Sequence, residues 1–197
     1  MSRLTEKVLA FIDTETTGLD PTIHEIIEYA IIKEHPDGHL ETYSIKAKPN
    51  HIETADPKAL DVNGYTPEAW QDALTQAEAA QKVGALLEKC VLIGHNVPFD
   101  VGFIKETLKR EGVPTQRIGT LCVDTMTLAW EHLAPIGLES MSLKGVCEFL
   151  GIDPEPAKHE ALNGALKDRA VYSRLLRATQ GMRNFWEEAK LKQTSFQ

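Results

Sequence analysis

Asp13 and Glu15 stand two residues apart in Phe11-Ile12-Asp13-Thr14-Glu15-Thr16-Thr17-Gly18. They follow a branched apolar run, Val8 to Ile12, that reads as a buried strand. Residues i and i+2 of a strand share a face, so both carboxylates project together from the strand's end. Such a pair repels itself unless a proton or a cation lies between. Hard oxygen donors favour Mg²⁺ or Mn²⁺. Gly18 lets the chain turn away behind the pair. The plainer alternative is a solvated strand end.

Two more segments carry chemistry. Gly94-His95-Asn96-Val97-Pro98-Phe99-Asp100 follows a short apolar strand and opens a helix at Pro98. Asp100 then falls in the first helical turn, where the helix dipole favours a carboxylate. It is either a helix-start residue, with Asn96 as cap, or a third carboxylate for the same ion. His95 and Asn96 supply polar edges, and Phe99 a ring for stacking or packing. In Lys158-His159-Glu160-Ala161-Leu162-Asn163-Gly164-Ala165, His159 lies just ahead of a helix, after Asp153-Pro154-Glu155-Pro156. A loop histidine titrates near neutral pH and can move a proton. It is otherwise an exposed loop residue.

The elements that must position these groups are legible in outline. Strands are expected at 7–12, 25–33, 40–46, 91–94 and 120–123, the second and third joined by the turn Pro36-Asp37-Gly38-His39. Short helical pieces are expected at 56–62 and 67–72. Thr75-Gln76-Ala77-Glu78 has capping-box spacing and opens a helix to about Lys89. Further helices run from Pro98 to Gly112, from the Asp124 cap to His132, from Ser142 to Leu150, and from Ala161 to Thr179. A terminal helix is expected at 182–192. A strand meander followed by alternating strands and helices predicts an α/β fold: a mixed sheet flanked by helices.

At 197 residues, 42% hydrophobic and 25% charged, the chain suits one soluble domain with a full core. It has no apolar run of membrane-spanning length and no signal-peptide core, so a cytoplasmic location without membrane contact is expected. Cys90, Cys122 and Cys147 lack metal-site spacing and lie in apolar stretches, which favours buried thiols. The net charge of −8 argues against coating long duplexes by charge alone. It leaves room for an enzyme that grips a strand end. The late basic residues Lys167, Arg169, Arg174, Arg177, Arg183, Lys190 and Lys192 read better as a solvated face than as a phosphate track.

Taken together the motifs resemble the DEDDh, or DnaQ-like, exonucleases of the ribonuclease-H-like superfamily. Residues 11–18 resemble the family's first motif, His95 to Asp100 its second, and His159-Glu160-Ala161-Leu162 the start of its third. Ala59-Leu60-Asp61-Val62-Asn63-Gly64-Tyr65 resembles the segment that packs beside the 3′-terminal nucleotide. The resemblance implies a five-stranded ribonuclease-H-like sheet, an exonuclease domain over 1–180 and a helical tail over 181–197. It implies a 3′→5′ exonuclease acting on single-stranded DNA or RNA ends, DNA preferred, with a polymerase or a second copy as partner. Asp13, Glu15 and Asp100 would hold two Mg²⁺ or Mn²⁺ ions, and His159 would be the general base. Thr14, Thr16, Thr17, Asn63, Asn96 and Phe99 would contact the last nucleotide.

The chain departs from the family pattern once. A fourth metal-binding aspartate is expected five residues after the histidine, and that position is Gly164. The nearest acid is Asp168, four residues on and about 6 Å along the helix. It reads more readily as an exposed residue paired with arginines than as a displaced ligand. Three outcomes stay open: a rebuilt active site, an impaired binding or interaction module, or a position altered to disable the site.

Overall fold

The computed structural model describes residues 6–153 and 160–178. A five-stranded sheet has the order β3-β2-β1-β4-β5. The strands are β1 (Leu9–Thr16), β2 (Ile26–Glu34), β3 (Leu40–Lys46), β4 (Val91–Gly94) and β5 (Cys122–Asp124). β1, β2 and β3 form the antiparallel meander, while β1, β4 and β5 run parallel. β1 extends past the expected Ile12 to Thr16, so Asp13 and Glu15 lie within it.

Among the described residues six α-helices surround the sheet: α1 (Pro57–Asn63), α2 (Gln76–Leu87), α3 (Val97–Arg110), α4 (Thr125–Leu133), α5 (Leu143–Phe149) and α6 (Ala161–Ala178). On one face Ala10, Ile12, Tyr29 and Ile31 pack with α2 and α3. On the other, Phe11, Ala30, Ile32 and Ile93 receive Ala161 and Ala165 of α6. α4, α5 and α6 share a third cluster around Ala129, Val146 and Val171. β2 is covered on both sides, which explains why it is buried without a break from Ile26 to Ile32 rather than alternately.

Caps set the helix starts. Thr75 and Glu78 form the expected capping box. Asp124 accepts from the N–H groups of Met126 and Thr127, and Ser142 from that of Gly145.

Two expectations need correction. Residues 67–72 form successive turns rather than a helix, wound about the buried Trp70, whose indole N–H donates to the Ile27 carbonyl at 2.8 Å. Cys122 is exposed, because β5 is an edge strand, whereas Cys90 and Cys147 are buried. The terminal helix expected at 182–192 lies outside the described residues.

Candidate functional site

Asp13 and Glu15 share a strand face with Phe11, which packs under α6, so both carboxylates look toward that helix. Gly164 of α6 lies directly against Asp13. An ideal Cβ at 164 would fall 2.6 Å from Asp13 Cγ, and nearer still to Oδ2. The glycine that sequence alone leaves unexplained is therefore the point where the helix backbone meets a carboxylate. Glu15 stands directly opposite Glu28 of β2, a buried acid that accepts from Ser44 Oγ at 3.3 Å. Directly opposed acids destabilise a sheet, so this pairing suits a cation nearby. Glu28 was missed in sequence; strand register, which aligns it with Glu15, is its signal.

Asp100 sits in the first turn of α3 with 3% of its surface exposed. Thr14 Oγ1 donates to its Oδ1 at 2.7 Å, tying α3 to β1. Burial pushes the Asp100 carboxyl up to about 7, against the opposing pull of hydrogen bonds from Thr14 and the backbone. Asn96 does not cap α3 with its side chain. Instead Asp124 reaches across, its Oδ1 accepting from the N–H groups of Asn96 at 2.8 Å and Val97 at 3.3 Å. Burial works upward on Asp124, but these bonds and those from Thr127 hold it below the usual carboxylate range.

Asp168 is buried rather than exposed, contrary to expectation. It is 1% exposed, and its Oδ2 accepts from the His95 N–H at 3.1 Å. Arg169 turns the other way, its Nε 2.7 Å from Glu34 Oε2. Gly164 and Asp168 are one turn apart on the sheet-facing stripe of α6. β1 and β4 are parallel neighbours with Phe11 beside Ile93, so Asp13 and His95 follow side by side. Gly164 thus lies over β1 and Asp168 over the end of β4, bringing Asp168 to the same corner as Asp13.

Beside this corner lies a pocket of about 390 Å³, bounded by Thr14, Glu15, Thr16, Leu19, Asn63 and Phe99, with Lys58 and Val62 from α1. Leu19 at its mouth is 80% exposed. Asn63 is spent on structure: its Nδ2 donates to the Thr16 carbonyl at 3.2 Å and its Oδ1 accepts from Tyr65 N–H at 3.1 Å. Thr16 Oγ1 donates to the Gly18 carbonyl. Thr17 is fully buried and accepts from Glu25 N–H. Asn96 is exposed and does not line this pocket. His159 lies outside the described residues.

Among the described residues, no three His, Cys, Asp or Glu side chains converge closely enough to hold an ion as they stand. The donor chemistry nonetheless fits Mg²⁺ or Mn²⁺. Asp13, Glu15, Asp100 and Asp168 offer hard oxygens, and a cation would relieve the buried charge of Asp100.

A family model described as exonuclease, RNase_T, matches residues 10–172, which takes in every carboxylate named above. The chain belongs to this exonuclease family. It is a DnaQ-like exonuclease of the ribonuclease-H-like superfamily, with the expected mixed five-stranded sheet. It is 31% identical over 186 residues to DNA polymerase III subunit epsilon of Pasteurella multocida, covering 90% of this chain and 70% of that protein. It is also 31% identical over 186 residues to DNA polymerase III PolC-type of Thermotoga maritima, covering 93% of this chain but only 13% of that much longer polymerase. The exonuclease fold is shared with E. coli exonuclease I, solved with a dT13 oligonucleotide, at a TM-score of 0.74 and 20% identity over 91% of this chain and 42% of that one. No helix of the described residues is long and apolar enough to cross a membrane.

Proposed function

We propose that this family member is a metal-dependent 3′→5′ exonuclease that removes nucleotides from single-stranded ends, DNA in preference to RNA. The observation that carries the reading is that Asp13, Asp100 and Asp168 are each fixed near the C-terminal ends of β1 and β4, beside a pocket large enough for a nucleotide. Asp13, Glu15, Asp100 and Asp168 would hold two Mg²⁺ or Mn²⁺ ions. Asp168 serves as the fourth carboxylate, and Gly164 is not a vacant ligand position. When bound, the ions supply an activated water and charge compensation for the leaving 3′-oxygen.

The chain's own residues orient the reactants. Leu19, Val62 and Phe99 give the terminal nucleotide apolar walls, while Thr14, Thr16 and Asn63 shape the pocket's floor. His159 takes the proton of the attacking water as the water oxygen bonds to phosphorus. The names of the polymerase III relatives support a DNA substrate, a polymerase partner and a cytoplasmic location. A homodimer is the alternative assembly.

A second reading rests on Asn163. The resemblance spaces the histidine five residues ahead of the fourth carboxylate. Counted back from Asp168, that position is Asn163, whose amide accepts no proton at neutral pH. A chain built this way binds ions and a strand end but turns over slowly, as a nucleic-acid-binding or interaction module.

A 5′-labelled single strand incubated with Mn²⁺ tests both readings. The strand should shorten from its 3′ end. Asp13→Ala and Asp168→Asn should each lose more than the roughly 10–100-fold typical of outer-shell partners. An unchanged rate in Asp13→Ala sinks the mechanism. A loss of about 10²–10⁴ in His159→Ala marks His159 as the base. Faster release by Asn163→His, with His159→Ala silent, favours the second reading.

A further inference from the structure

The His95 side chain is held at both ring nitrogens and has no part in the chemistry above. Its Nε2 is 2.7 Å from the Met141 carbonyl oxygen, in the segment leading into α5. Its Nδ1 is 3.0 Å from Oγ1 of Thr125, the fully buried first residue of α4. A carbonyl only accepts, so Nε2 carries the proton and donates to Met141. Thr125 Oγ1 also lies 3.1 Å from the Gly94 carbonyl, but a hydroxyl has one proton, and with Nε2 protonated that proton goes to Nδ1. One ring therefore fastens the end of β4 to the entries of both α4 and α5. The backbone N–H of the same residue is the group that receives Asp168.

We infer that His95 is a positioning residue for Asp168: its ring anchors the peptide whose N–H docks the Asp168 carboxylate. The inference rests on Asp168 being a metal ligand, as proposed above. Without the ring, the β4–α3 turn loses its tie to the entries of α4 and α5, and the N–H shifts relative to α6. Asp168 then loses its fixed place beside Asp13.

The test is Mn²⁺ affinity of the full chain by calorimetry or electron paramagnetic resonance, with thermal midpoints alongside. His95→Ala should weaken Mn²⁺ binding by about 10–100-fold, the usual cost of losing an outer-shell partner. Release activity should return toward the parent rate at saturating Mn²⁺. His95→Gln, whose amide N–H can reach Met141 as Nε2 does, should restore most of the affinity. A purely structural ring would lower the thermal midpoint and leave the Mn²⁺ affinity of the folded protein unchanged, and that result overturns the inference. If His95→Ala does not fold, Thr125→Val decides, since unchanged affinity there also overturns it. Asp168→Asn separates the two proposals. If it leaves Mn²⁺ affinity intact, the ligand assignment fails and takes the inference with it. If it weakens binding while His95→Ala does not, only the inference fails.

Discussion

At position 164 the backbone of α6 touches the Asp13 carboxylate with no side chain between them. Glycine in a helix interior costs about 1 kcal/mol relative to alanine, and here that cost permits the approach. Gly164→Ala should recover helix propensity but displace Asp13. A misplacement of about 1 Å at a reacting centre costs on the order of 100-fold, so nucleotide release should fall by about that factor. Gly164→Asp should fall likewise, because its carboxylate would arrive where Asp13 already is. Faster release from Gly164→Asp would instead mark 164 as a vacant ligand position. The types and spacing of Asp13, Glu15 and Asp100 are legible in sequence because each sits on a short local motif. Asp168 is not, because its role depends on which turn of α6 lies over β4. Counting from His159 leads to Gly164; only the packed helix leads to Asp168.

Among the elements, α1 decides the shape of the pocket, and one side chain latches it. Asn63 ties the last turn of α1 to the end of β1 and to Tyr65, and Gly64 follows in a left-handed conformation that ends the helix. Asn63→Ala leaves the buried Thr16 carbonyl without that donor. It should destabilise the protein by about 1–3 kcal/mol. Because α1 walls the pocket, KM should rise more than kcat falls, as steady-state assays on a short strand would show. Helix starts were readable wherever a cap was local, as at Thr75, Asp124 and Ser142. The start of α3 was readable from Pro98, but its cap was not, since it comes from Asp124, 28 residues further along the chain. The turns at 67–72 escaped for a similar reason. Their path follows the anchoring of Trp70 to β2, a contact 43 residues distant.

On the scale of the whole molecule, the site opens where three parallel strands end and two helices start, the place α/β folds usually reserve for ligands. The strand meander and the alternation after it made this architecture legible. The strand order, with β1 central, followed only from the packing. The burial that creates the site also sets a pH dependence. The Asp100 carboxyl is raised to about 7 in the folded protein, against about 3.9 in an unfolded chain. Between those values the folded state holds a proton that the unfolded state has lost. This contribution to stability is full below the unfolded value and is lost as pH rises through the folded one. The metal-free protein should therefore melt lower as pH is raised from about 5 to about 8. Asp100→Asn should flatten that fall, and thermal melts across the range check it. An equally steep fall in the variant would assign the effect to another group.

The bare backbone at Gly164 also limits how the chain can drift. Every substitution there adds a Cβ into the space of Asp13, so no exchange at 164 is silent for the carboxylate. The same change leaves the sheet, α1 and the nucleotide-sized pocket intact. A descendant could thus lose the placement of its carboxylates through a residue that binds nothing, and persist as a folded protein.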